Sequence, residues 1–355
     1  MKYSKAVEKY GSQSAAAKAL NIPQSTFNDR FRKEESFLQN GANEKGFPAE
    51  DVSSYWVKTD DASYLVRRPL AEKEEDNLIE KVRAAFVNLK PIQKLPEPKI
   101  TSEELLTLYP IADAHVGMMA WGEETGSDYD TKIACQRIRD WMGEAVNASP
   151  PSKMAIVLGV GDLLHANDET NMTPQNKHVL DMDTRQTKTL MMTIDAIAAS
   201  IEMAALKHEH VIVRILPGNH DRDAFKVIMF ALNERYRENS RIEVDKAPND
   251  FFVFRFGANM IAAHHGDKAK PERLVMGLAD THAVAWGSTT HRFLFTGHRH
   301  HEKSADIGGM RWEQLRAVTE KDAYATSNSY SARSELQAIT YRKSGGEHCR
   351  FRVCA

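Results

Sequence analysis

The chain has 355 residues, 42% hydrophobic and 27% charged, which suits a folded chain and excludes a disordered or collagenous one. Its 47 Lys and Arg against 49 Asp and Glu leave a net charge of −2, so a globally basic nucleic-acid coat protein is excluded while a local basic patch is not. The length points to two domains, and three cysteines (Cys135, Cys349, Cys354) without C-x-x-C spacing support neither a disulfide framework nor a thiolate zinc site. No continuous apolar run approaches the roughly 18 residues that cross a bilayer. The opening Met-Lys-Tyr-Ser-Lys-Ala-Val-Glu lacks the apolar region of a signal peptide, so the expectation is a cytoplasmic protein without a membrane partner.

The first predicted elements lie in residues 1–36. Seven cations up to Lys33 (Lys2, Lys5, Lys9, Lys18, Arg30, Arg32, Lys33) against Glu8 and Asp29 leave +5. Ser12 or Ser14 can cap a helix whose small face (Ala16, Ala17, Leu20) packs closely on a neighbour. Asn21 suits the left-handed position at its end, and Pro23 opens a turn. A second helix, Gln24 to Lys33, places Phe27 and Phe31 inward. This pattern resembles a helix-turn-helix, with Gln24, Ser25, Asn28 and Arg32 as the outward, DNA-contacting residues. The positive balance favours DNA, because cation–phosphate contacts dominate such affinity. A helical hairpin for homo-oligomerisation is the alternative.

Residues 37–100 read as a linker and accessory region. The polar stretch 40–46 is a linker, a short hairpin turns around Asp60-Asp61, and Ala71 to Leu89 has helical spacing that ends at Pro91. From 101 to 355, β-rich runs (Leu106 to Ala112, Met154 to Val160, Val211 to Leu216, Phe251 to Phe256, Met260 to Ala263, Phe293 to Thr296) alternate with helical ones (Tyr129 to Val146, Thr187 to Lys207). The reading is an α/β (α+β) domain with buried sheets.

Chemistry gathers just beyond five of these runs: Asp113-Ala114-His115, Gly161-Asp162 with His165, Gly218-Asn219-His220-Asp221, His264-His265-Gly266-Asp267 and Gly297-His298-Arg299-His300. The chain has 14 histidines and none precedes His115. Ligand-type side chains at the carboxyl ends of strands occupy the place where α/β sheets build their sites, and the glycines let the backbone turn sharply. Mixed imidazole, carboxylate and amide donors favour Mn, Fe or Zn over the all-oxygen shells of Mg or Ca.

The ordered set D-x-H, G-D, G-N-H-D, H-G, G-H-x-H resembles the calcineurin-like metallophosphoesterase superfamily over residues 105 to 301. The text at 180–185, 321–325 and the Tyr-Arg-Lys-Ser-Gly-Gly-Glu end resembles its phage and prophage members. The resemblance implies a β-sandwich flanked by helices and two divalent ions, manganese first, with iron or zinc as alternatives. Asp113, His115, Asp162 and His300 would hold one ion. Asp162, Asn219, His265 and His298 would hold the other, with Asp162 bridging. His220 would act on the phosphate or leaving oxygen. His165 matches the G-D-L-F-H form of Mre11-type nucleases, where it faces the substrate, and the arginine of the serine/threonine phosphatases is absent.

His265 is preferred to His264 as ligand because the ligand directly precedes the glycine in that superfamily. Asp221 and Asp267 are expected to orient neighbouring histidines, and Asp183 or Thr184 to cap a helix start. The implied activity is hydrolysis of nucleic acid by in-line attack of a metal-bridging hydroxide, a phage-type DNA nuclease in the host cytoplasm. The alternative is a phosphoesterase or pyrophosphatase for a small nucleotide.

Overall fold

A computed structural model describes residues 2–31, 54–58, 63–67, 92 and 94–355. Two compact units divide the chain, Met1–Lys81 and Val82–Ala355.

In the first unit, α1 spans Lys2–Tyr10, α2 spans Gln13–Ala19 and α3 covers 24–31. The Ser12 hydroxyl accepts the Ala15 amide at 3.2 Å, so Ser12 rather than Ser14 caps α2. Asn21 is left-handed at φ 52° and ends that helix. Ala6, Ala16, Ala17 and Phe27 are buried together, and Tyr3 meets Phe27 edge-on at 5.4 Å. Small alanines allow the helices this close approach. Gln24 and Ser25 are exposed, and Gln24 donates to the Asn28 side-chain oxygen at 2.8 Å. Strands β1 (Ser54–Lys58) and β2 (Ser63–Arg67) pair antiparallel, Trp56 opposite Leu65. Arg32, the linker 40–46, the turn at Asp60-Asp61 and the expected helix 71–89 lie outside the described residues.

The second unit runs β3 (Ser102–Ile111), α4 (Gly122–Thr125), α5 (Thr131–Ala148), β4 (Ser152–Gly159), α6 (Gln186–Lys207), β5 (His210–Ile215), α7 (Ala224–Tyr236), β6 (Ile242–Asp245) and β7 (Phe252–Phe256). It continues through β8 (Asn259–Ala263), α8 (Pro271–Thr281), α9 (Ala283–Gly287), β9 (His291–Thr296), β10 (Lys303–Ile307), β11 (Met310–Gln314), α10 (Ala323–Ser327), β12 (Glu335–Arg342) and β13 (Gly345–Cys354). One six-stranded sheet has the order β13-β12-β3-β4-β5-β6, with β3 to β6 parallel. A five-stranded sheet has the order β10-β11-β9-β8-β7, parallel across β11, β9 and β8.

The side-chain period of two sorts each strand between layers. Leu106, Leu108, Ile156 and Leu158 of the first sheet are buried with Phe252, Ile261, Phe293 and Phe295 of the second, forming the sandwich interior. Tyr109, Ile111, Val157 and Val213 point the other way, onto Ile138 and Met142 of α5, Ile197 and Ile201 of α6 and Ile228 of α7. Met260, Ala262 and Leu294 cover the second sheet's outer face together with Leu274, Val275 and Leu278 of α8. The result is helix, sheet, sheet, helix: a mixed α/β sandwich flanked by helices. Burial on both faces is why the central strands read as continuous apolar runs.

Two local features differ from the sequence reading. Helix α6 has 22 residues and is long and apolar enough to cross a membrane by length and composition, with half of its apolar window buried inside the unit. Thr193, Asp195, Ser200 and Glu202 interrupt it, so it holds no continuous apolar run. Residues of the expected connecting region also belong to this unit. The Ile92 amide donates to the Arg235 carbonyl at 2.9 Å, and Arg241 donates to the carbonyls of Leu95 at 3.0 Å and Pro96 at 3.2 Å.

Candidate metal centre

The loops at the carboxyl ends of β3, β4, β5, β8 and β9 meet at one end of the sandwich, and their backbones are unusual there. Nine non-glycine residues among those described have positive φ, and five of them are Asp113 (49°), His115 (42°), Asp162 (51°), His298 (71°) and His300 (58°). Side chains rarely adopt this conformation, which costs on the order of 1–2 kcal/mol per residue. The turns persist because the loops are bonded to one another. The His115 amide donates to the Asp162 carbonyl at 3.0 Å, and the His298 amide donates to the Asp113 carboxylate at 2.9 and 3.0 Å. At Gly218 an added Cβ would lie 1.9 Å from Asp162 Oδ1, so only glycine admits this approach of β5's loop to β4's.

Asp162 sits at the meeting point. Its Oδ2 is 3.1 Å from His265 Nε2 and 4.0 Å from His115 Nε2, and its Oδ1 accepts the His220 amide at 2.7 Å. On one side, His115 Nε2 is 3.2 Å from His300 Nε2, which is 3.5 Å from Asp113 Oδ1. On the other, His265 Nε2 is 3.1 Å from Asn219 Oδ1, and the His298 ring lies 5.2 Å from the His265 ring. The donor atoms of Asp113, His115 and His300 lie within 4.8 Å of one another, as do those of Asp162, His265 and His298. A third group, His115, His165 and His220, meets the same limit.

Electrostatics describe a place for positive charge. Asp113 and Asp162 are fully buried or nearly so. Burial opposes ionisation of Asp162, but the His265, His220 and His115 rings outweigh it and hold the carboxyl well below its usual range. Burial likewise opposes charge on His265, yet the Asp162 carboxylate pushes it up to about 10. His115 and His165 move the other way, chiefly through burial and then through His220, His165 down to about 3. The ionised Asp162 carboxylate draws positive charge into a cluster of imidazole, carboxylate and amide donors, a set that fits divalent ions of the borderline-soft class.

The second nitrogens are held as metal-binding imidazoles require. His265 Nδ1 donates to the Val160 carbonyl at 2.9 Å, which frees Nε2 as an acceptor. His220 Nδ1 donates to the His165 carbonyl at 2.7 Å. His264 stays out of the cluster: its Nδ1 accepts the Gly266 amide at 2.9 Å and its ring packs on Phe251.

Two supporting assignments change. Asp221 does not orient a histidine; it accepts the amides of Gly218 at 2.9 Å and Leu164 at 3.2 Å, tying β5's loop to β4's. Burial raises its carboxyl to about 6. Asp183 does not cap α6; it accepts the Thr131 amide of α5 at 3.2 Å, and the α6 cap position is Arg185, without a side-chain bond. Asp267 lies 3.8 Å from Arg222. Sequence reading missed the Tyr129 hydroxyl, which donates to the Ala114 carbonyl between Asp113 and His115 at 2.7 Å. It also missed Asn167, whose side-chain oxygen accepts the Asp223 and Ala224 amides at 2.7 and 3.2 Å and caps α7. Neither lies in a motif that would have singled it out.

No protein-family model matches the chain, and no curated protein matches it either. Solved structures do resemble it. One is a dimetal phosphatase from Danio rerio, 9% identical over 70% of this chain and 98% of that one, with TM-score 0.38. Another is an archaeal phosphodiesterase, 11% identical over 70% of this chain and 99% of that one, with TM-score 0.34. A third is a predicted phosphoesterase from Streptococcus pneumoniae, 8% identical over 72% of this chain and all of that one, with TM-score 0.29.

Proposed function

We propose that the chain is a dinuclear-metal phosphodiesterase that hydrolyses nucleic acid, a phage-type DNA nuclease whose N-terminal helices hold DNA. Asp113, His115, Asp162 and His300 would hold one ion, and Asp162, Asn219, His265 and His298 the other, with manganese the first expectation. The observation that carries this reading is Asp162, whose Oδ2 faces His265 at 3.1 Å and His115 at 4.0 Å, so one carboxylate serves both groups. Bound ions would supply an activated water and neutralise charge developing at phosphorus.

The chain's own side chains do the rest. His220, whose Nδ1–H is held by the His165 carbonyl, presents Nε2 to the substrate; in the imidazolium form it gives the Nε2 proton to the departing oxygen and is left neutral. The His165 ring stacks on it, 5.3 Å away at 22°, and donates to a phosphoryl oxygen. The +5 balance of residues 1–33 and the exposed Gln24 and Ser25 support DNA as the partner of the N-terminal helices. Hydrolysis by metal-loaded protein of single-stranded DNA, duplex DNA, RNA and a nucleotide panel tests the reading. Turnover confined to small nucleotides would replace it with a soluble phosphoesterase.

A further inference from the structure

Among the Trp, Tyr and Phe side chains whose exposure is described, the three most exposed are Tyr324 (65% exposed), Trp121 (61%) and Tyr330 (58%). Scattered singly, such rings would need no explanation. These three are not scattered. Trp121 is the residue before α4, Tyr324 lies in α10, and Tyr330 follows shortly after; α4 and α10 pack against each other. The Tyr324 and Tyr330 rings lie 6.4 Å apart at 66°.

Both segments leave directly from the proposed metal centre. The Met118 amide donates to the His115 carbonyl at 3.0 Å, three residues before Trp121. The Thr319 amide donates to the Asp113 carbonyl at 3.2 Å, and the charge of Asp322, which caps α10, acts on His300. The excursion between Thr319 and Tyr330 is pinned at its base by the Ser334 hydroxyl, which donates to the Thr319 carbonyl at 2.6 Å. The rings therefore stand on short, anchored segments.

Cations accompany them. Arg299, exposed between His298 and His300, Lys321 beside α10 and the exposed Arg333 have no ion pair among the described residues. The acids nearby are partly engaged: Glu320 pairs with Arg137 at 2.6 Å, and Asp128 accepts the Gly122 amide at 2.6 Å. Glu123 and Glu124 of α4 remain exposed.

We infer that Trp121, Tyr324 and Tyr330 form a stacking platform for the unpaired bases of single-stranded DNA, beside the site where its backbone is cut. Every base offers a π-face, so such a platform binds without sequence preference and cannot engage bases that remain paired. The inference rests on the nuclease reading and deepens it to a strandedness.

The test compares the full-length, metal-loaded protein with the triple variant Trp121→Ala/Tyr324→Ala/Tyr330→Ala. Substrates are a single-stranded oligodeoxynucleotide, the matching duplex, the matching RNA and a small chromogenic phosphodiester. The expected result is a preference for the single strand and, in the variant, a rise in KM of roughly tenfold or more. The salt slope of binding should stay the same, since no phosphate contact is removed. The small diester should turn over unchanged, which also shows that the variant folds, and Trp121→Phe/Tyr324→Phe/Tyr330→Phe should restore most single-strand affinity. DNA cleavage unaltered by the triple substitution, or a preference for duplex, overturns the platform and leaves the nuclease reading standing. A loss confined to RNA overturns the DNA assignment. A change in oligomeric state without loss of single-strand affinity makes the rings a self-association surface and overturns the platform too. Wild-type turnover of the small diester with no cleavage of any polynucleotide overturns the nuclease reading itself.

Discussion

His115 and His165 meet through their Nδ1 atoms at 3.2 Å, while His115 Nε2 points the opposite way, 3.2 Å from Nε2 of His300. If His115 offers Nε2 to an ion, its proton sits on Nδ1 and is donated to His165 Nδ1. The proton of neutral His165 is then on Nε2, free for the substrate. One hydrogen bond thus links a ligand's tautomer to a donor's.

The first prediction separates these two duties. His165→Ala should lower affinity for one of two ions by about 10–100-fold, the usual cost of removing a ligand's supporting partner. His165→Asn retains an acceptor near the Nδ1 position and lacks Nε2, so it should keep both ions and still lose turnover. Metal counting beside kcat reads both. Full metal occupancy in the alanine variant would break the link.

Asp162→Asn should lose activity and metal together, by more than the loss of a supporting residue, because one side chain faces both groups. His220→Ala should lose turnover with the ions retained, since its Nδ1 is already committed to the His165 carbonyl. Elemental analysis of the purified variants distinguishes the two; loss of metal in the second would make His220 a ligand.

Gly218→Ala places a methyl 1.9 Å from Asp162 Oδ1 and 2.4 Å from the Asp162 amide nitrogen. Neither neighbour is the free end of a flexible chain. The loop must shift, so destabilisation of roughly 1–3 kcal/mol is expected, with loss of metal binding. Thermal unfolding and metal content measured on one sample report both.

A histidine far from the site gives a pH signature. His208 is fully buried, its Nε2 2.7 Å from the Tyr109 hydroxyl and its Nδ1 2.8 Å from the Ser152 carbonyl. Burial lowers it from 6.5 to about 4. The unfolded chain therefore takes up a proton below pH 6.5 that the folded chain refuses until about pH 4, and stability falls as pH drops through this window. The difference corresponds to on the order of 3 kcal/mol. Denaturant titrations from pH 7 to 4 should show a shallower loss in His208→Gln than in the wild type; parallel curves would remove His208 as the cause.

Deleting residues 1–36 should weaken binding to long DNA and flatten its salt dependence, because released counterions report the lost cation contacts. Hydrolysis of a small phosphodiester should survive, as every proposed ligand lies between Asp113 and His300. An unchanged salt slope would favour the helical hairpin for oligomerisation.

The strands that carry the site were legible because burial on both faces makes them continuous apolar runs, each followed by Gly, Asp, Asn or His. The last strands were not. Glu313, Glu335 and Gln337 are buried, yet they are polar residues whose burial depends on partners far along the chain. Arg350 donates to Glu313 at 2.6 and 3.0 Å and to Gln337 at 2.9 Å, and Arg352 to Glu335 at 3.2 Å. Apolar periodicity cannot register a layer held by paired charges. At the site, motif order singled out the side chains that converge, but not the left-handed turns that aim them. Asp221 was misread for a related reason: a carboxylate beside a histidine in sequence bonds backbone amides in space.

The ligand candidates are drawn from both layers of the sandwich. Asp113, His115, Asp162 and Asn219 follow strands of the six-stranded sheet, whereas His265, His298 and His300 follow strands of the five-stranded one. Any ion held as proposed would rivet the two sheets together at their open end, and each ion would do so separately. Breathing of the layers would then be damped by loading. Amide exchange at the β8 and β9 loop ends should slow sharply with metal, while the other ends of these strands, away from the ligands, should keep their rates.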